Sequence, residues 1–119
     1  MSWFSSKDRN GRKLDELIDR LEKLSGRIGH YEEQEQLSAR LGMPGNRQVA
    51  QTREVHSEIY ATLTAARAGI ASGEIDDQEI YPQLPSVTKA ISHMEWILNE
   101  ADRDVVKAKR AFQERFGGN

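Results

Sequence analysis

Any chemistry in this chain has to come from three histidines, its carboxylates and a scatter of hydroxyls, because it has no cysteine. That absence excludes disulfides, thiolate metal sites and cysteine nucleophiles. His30, His56 and His93 each lack a Glu three residues earlier, so the Glu-x-x-His pair of di-iron bundles is not present. No His-Glu-x-x-His helix offers zinc ligands either. His56 falls on an apolar helical stripe, where a polar residue pairs locally or fixes register. The run EIDDQE gathers Glu74, Asp76, Asp77 and Glu79 but lacks the alternating ligands, central Gly and final Glu of a calcium loop. It suits a solvated connection or the acidic start of a helix. GMPGN, residues 42–46, has neither the spacing nor the lysine of a phosphate-binding loop. The Ser, Thr and Tyr residues form no triad with His and Asp. No catalytic, cofactor-binding or metal residue is therefore assigned. No cofactor, no small-molecule substrate and no enzymatic activity are expected.

One stretch does invite a specific function. Residues 35–55 read EQLSARLGMPGNRQVAQTREV. Leu37, Ser38, Leu41, Gly42 and Met43 supply, in order, an apolar anchor, a small residue, a second anchor, a turn glycine and an apolar residue after it. Over about twenty residues the segment resembles the helix-turn-helix of bacterial and phage regulators. The resemblance implies that Arg47, Gln48, Gln51 and Arg53 read bases and phosphates in the major groove of DNA. Phage packaging-initiation subunits and small regulators combine such a motif with an oligomerising helix, an analogy only. Other features favour a plain hairpin corner. The second helix places Val49 and Thr52 one position later than the motif's anchors, and it continues far beyond a recognition helix. Glu32, Glu33 and Glu35 precede the segment, and Glu54 and Glu58 follow it, all repelled by phosphate.

Three long helices must position these residues. Residues 1–11 are small, polar and basic and read as a flexible tail, with Trp3 and Phe4 as aromatic anchors for a partner or for the bundle itself. The first helix is expected over 12–41, on the seam Leu14, Leu17, Leu21, Leu24, Ile28 and Tyr31. Gly26 and Gly29 mark a kink, a close crossing or a break within it. Residues 42–46 stop that helix, and Asn46 caps a second one running to 71, with Val49, Thr52, His56, Ile59 and Leu63 on its seam. A Gly- and Pro-punctuated connection with room for one helical turn follows. The third helix, 86–116, starts from Ser86 and keeps Val87, Ile91, Met94, Leu98, Ala101, Val105, Ala108 and Phe112 at strict 4-3-4-3 spacing. It is a rod of about 45 Å. Residues 117–119 end the chain as a short tail, and no strand pattern appears.

Composition agrees with such a scaffold. Apolar residues make up 37% and charged ones 30%, with mean hydropathy −0.73, so each helix can offer only a narrow apolar stripe. The net charge of −2 gives no global attraction to nucleic acid or membrane. Residues 103–115 are locally basic, with Arg103, Lys107, Lys109, Arg110 and Arg115 against Asp104 and Glu114. No apolar run reaches membrane-spanning length, and a cytoplasmic setting is expected. The sequence thus predicts a single all-α domain over 12–116, an elongated three-helix bundle or helical hairpin with coiled-coil-like packing, completed by oligomerisation. Its expected role is non-enzymatic protein–protein assembly, with a protein partner or a homo-oligomer. The interface predicted for it is Trp3, Phe4, Val87, Ile91, Met94, Leu98, Val105 and Phe112. DNA binding through Arg47, Gln48, Gln51 and Arg53 is the alternative.

Overall fold

The seam of the first helix sets the architecture. Leu14, Leu17, Leu21, Leu24, Ile28 and Tyr31 are all buried in one continuous core. The computed structural model describes residues 6–42 and 47–117, with side chains for 11–42 and 47–117. In it the seam lies along α1, Ser6–Arg40, a helix that passes through Gly26 and Gly29 without a break. A left-handed Gly42, with φ at 75°, ends the first arm of the hairpin. Residues 43–46, including the expected cap Asn46, lie outside the described part, as do Trp3 and Phe4.

α2, Arg47–Ser72, returns antiparallel to α1. Its contacts show this directly, because Arg53 reaches Glu32, His56 reaches Leu21, Tyr60 reaches Glu22 and Arg67 reaches Asp15. α1 starts at Ser6, before the Arg12 expected from the sequence. Gly11 is buried, and the Arg67 guanidinium lies against it on its way to Asp15. Near Gly11 and Asp15, α1 is thus held to α2 by a long side chain.

A second left-handed glycine, Gly73 with φ at 82°, closes α2. Asp76 then caps the short α3, Asp77–Ile80, by accepting from the Gln78 amide at 3.2 Å. One 3-10 turn, Tyr81–Gln83, leads straight into α4, Leu84–Phe116. The third long helix therefore starts two residues before Ser86, which makes no cap. Pro85 sits in its first turn, where a missing N–H costs nothing and the fixed φ suits a helix. α4 runs parallel to α1, since Arg20 meets Glu95 and Arg27 meets Asp102, both one heptad apart on their helices. The result is an up-down-up bundle measuring 67 × 28 × 18 Å, with no strand among the described residues. None of its described helices is long and apolar enough to cross a membrane.

The core does not run the full length of the bundle. Beyond Tyr31 the α1 seam continues with Glu35 and Ser38, both half-buried, while α4 carries its apolar stripe onward to Phe112. At the opposite end packing is close. The Ile75 amide bonds the Gly69 carbonyl at 3.0 Å, and Ile75 covers the space where a Gly69 side chain would stand.

Two glycine substitutions separate these environments. Gly26 has open space around it, so Gly26→Ala should raise stability by about 1 kcal/mol through helix propensity. A Cβ at Gly69 would lie 2.4 Å from Ile75 Cδ1 and 3.3 Å from its Cβ, so Gly69→Ala should cost about 1–3 kcal/mol. Urea denaturation followed by circular dichroism reads both. Equal signs for the two variants would contradict this packing.

Candidate protein interface

Arginines on the flanks of the seam clamp the bundle together. Toward α4, Arg20 forms a two-pronged pair with Glu95 and also bonds Ser92 at 3.2 Å. Arg27 donates to Asn99 at 2.9 Å and to Asp102 at 2.8 Å. The Tyr31 hydroxyl donates to the same Asp102. Toward α2, Arg53 grips Glu32 at 2.8 and 3.1 Å and also donates to Ser25 Oγ at 3.1 Å. This guanidinium holds the Glu32 carboxyl below its ordinary pKa. Each such half-exposed pair contributes on the order of 0–1 kcal/mol, so their main effect is to fix register.

That clamp decides where the residues of the helix-turn-helix resemblance go. Arg53 is spent on Glu32 and Ser25 inside the hairpin. Val49 and Thr52 are buried against α1, with Thr52 Oγ1 donating to the Gln48 carbonyl at 2.6 Å. Arg47, Gln48 and Gln51 are exposed. The two helices lie antiparallel along the hairpin instead of crossing steeply, as a recognition helix and its support do.

The histidines are engaged in local packing. His56 is buried, and its Nε2 lies 2.6 Å from the Leu21 carbonyl. A carbonyl can only accept, so Nε2 carries the hydrogen. The ring stacks on Tyr60, whose hydroxyl donates to Glu22, and that carboxylate raises the phenol pKa. His93 stacks on Trp96, and His30 bonds Gln34 at 3.1 Å. Among the described residues no group of His, Asp and Glu could hold a metal ion.

The predicted interface on α4 divides in two. Ile91, Met94 and Leu98 are buried in the chain's own core, so within this fold they are not surface available to a partner. They are claimed by α1, whose seam runs beside them in parallel. Val87 and Val105 are partly buried at the core's edge. Phe112 is 63% exposed, although it stands on the same stripe as Ile91 and Leu98, in steps of seven residues. Phe116, one turn further, is 69% exposed, and the two rings lie 5.0 Å apart.

Beside this tip the helices leave a groove of about 650 Å³. Tyr31, Glu35 and Ser38 line it from α1, Val49 from α2, and Val105 and Ala108 from α4. Arg47 and Asp104 line it too, with Gln34 and Gln48. Leu37 and Leu41 are also exposed at this end of α1, and Trp96 is 56% exposed on the back of α4. A second hollow, about 710 Å³, lies at the other end, with Tyr81, Pro82 and Pro85 between Lys13 and Lys89. Sequence reasoning did not single out Phe116 or the groove. The signal was present, because α4 continues apolar where α1 turns to Glu35 and Ser38.

No family model, curated protein or solved structure matches the chain. The geometry of the open end therefore carries the functional reading.

Tyr31 stands where the core gives way to the groove. Burial pushes its phenol up to about 12, helped by donation to Asp102. The unfolded chain loses that proton near pH 10, so between about pH 10 and 12 the folded state holds more protons. Its contribution is complete below pH 10 and disappears as pH rises to 12. Unfolding free energy measured at pH 9 and again above pH 11 should fall further for the native protein than for Tyr31→Phe. Identical losses would place Tyr31 in water.

Proposed function

We propose that this protein is a non-enzymatic helical assembly subunit that docks a protein partner through the open end of its bundle. The observation that carries the reading is the exposed ring of Phe112, on the stripe that elsewhere forms the core, with the exposed Phe116 ring 5.0 Å away on its flank. Large aromatics are strong contact residues, and two of them beside a groove of mixed polar and apolar lining form an anchor next to a receptacle. Leu37 and Leu41 extend the apolar surface at the same end. The predicted tail anchors Trp3 and Phe4 belong to the proposal as a second contact.

Photo-crosslinking tests it. A photoreactive amino acid replaces Phe112, Trp3 or, as a control on the acidic surface of α1, Glu33. Irradiation in the source cells should capture protein at positions 112 and 3 and not at 33. Capture at 33 alone would move the docking surface away from the open end. No protein captured at any position would overturn the assembly reading.

A further inference from the structure

We infer that the hollow at the α3 end takes an acidic segment of a protein partner. One carboxylate of that segment sits between Lys13 and Lys89, and a neighbouring apolar side chain packs against Tyr81, Pro82 and Pro85. This surface is at the opposite end of the bundle from Phe112 and does not depend on docking there.

The ion-pair ladder between α1 and α4 carries the inference. Its two rungs, Arg20 with Glu95 and Arg27 with Asp102, are seven residues apart on both helices. Seven residues before Arg20 stands Lys13, and seven before Glu95 stands Thr88. Both line the hollow, so the next rung has its cation but no acid. Lys89 adds a second cation beside Thr88. Among the described residues neither lysine has an ion-pair partner, whereas Arg20, Arg27, Arg53 and Arg67 each have one. The Thr88 hydroxyl donates to the Leu84 carbonyl at 2.8 Å and brings no charge to offset them.

Neighbouring carboxylates do not close the rung. Asp15 is held by Arg67, Asp77 is buried, and Glu79 lines a different hollow beside Ala61 and Ile80. Glu16 is exposed one turn along α1 and does not line this one.

The floor selects a peptide over a simple anion. About 710 Å³ lies beside the lysines, lined by Pro82, Leu84, Pro85 and a Tyr81 that is 64% exposed. That volume is within the ~300–1,000 Å³ of ordinary ligand sites, and a ring beside prolines offers rigid apolar area. A nucleic-acid strand gains affinity with each phosphate neutralised, and two cations offer it little. A carboxylate is what the same ladder already receives from Glu95 and Asp102.

Backbone-amide NMR on the full chain tests the inference, with a blocked peptide of one phenylalanine between two aspartate–glutamate pairs as the probe. The peptide should shift amides around Lys13 and between Tyr81 and Lys89. Lys13→Ala with Lys89→Ala should weaken binding by about tenfold or more. Thr88→Glu should do the same at unchanged helix content, because it supplies the missing acid from within the chain. Replacing the peptide's phenylalanine by alanine should also weaken binding, which a bare anion site would not register. No shift at about 1 mM peptide, shifts away from the hollow, or unchanged affinity in either variant would overturn the inference. An equal response to inorganic phosphate or to a single-stranded oligothymidylate would overturn it too. So would a gain of about tenfold in Trp3→Ser with Phe4→Ser, which would make the chain's own start the occupant.

Discussion

The seam of α1 is the element on which the rest of the bundle depends, and it stops at Tyr31. From Leu14 to Tyr31 this one helix contributes half of a core that it shares with α2 and α4. Removing a seam leucine would forfeit contacts to two helices at once, at a cost on the order of 2–5 kcal/mol. Past Tyr31 the same face presents Glu35 and Ser38. A core cannot extend over such residues without burying charge, which is costly unless it is paired. The groove and the exposed α4 stripe follow from that change of chemistry.

Ion pairs organise the helices around this seam. Arg20 and Arg27 repeat at the heptad spacing of Glu95 and Asp102, which locks α1 and α4 in parallel register. Arg53 and Arg67 do the same for the antiparallel α2, through Glu32 and Asp15. None of these is worth much alone in water. Together they discriminate against a slipped register, in which a guanidinium would face apolar surface and a carboxylate would lose its partner. The arginines that suggested nucleic-acid contact are therefore divided: Arg53 belongs to this internal ladder, and Arg47 lines the groove.

The proposed function draws its support from an asymmetry between the two ends. At the α3 end, Ile75 fills the space over Gly69 and Leu84 is buried, while Tyr81 is exposed beside the second hollow. At the other end α4 carries Phe112 and Phe116 into water. Two exposed phenylalanines side by side, Phe112 on a core-type stripe and Phe116 on its flank, cost solubility unless something covers them. The proposed docking surface would supply that cover.

Much of this was legible in the residues alone. Three- and four-residue spacing of leucines and isoleucines determined that the chain is helical, and Gly42, Gly73 and Pro85 marked where the long helices end or begin, because backbone geometry at those residues is local chemistry. The place of His56 on an apolar seam was also readable from spacing. Which apolar residues are covered was not. Ile91 and Phe112 occupy equivalent heptad positions and read alike, yet one is enclosed and the other exposed. Burial depends on which stretch of α1 lies opposite, and that is set by interhelical register through Arg20, Arg27 and Tyr31. Local structure was determined by sequence spacing, whereas the site was decided by the long-range alignment of one polar face against one apolar stripe.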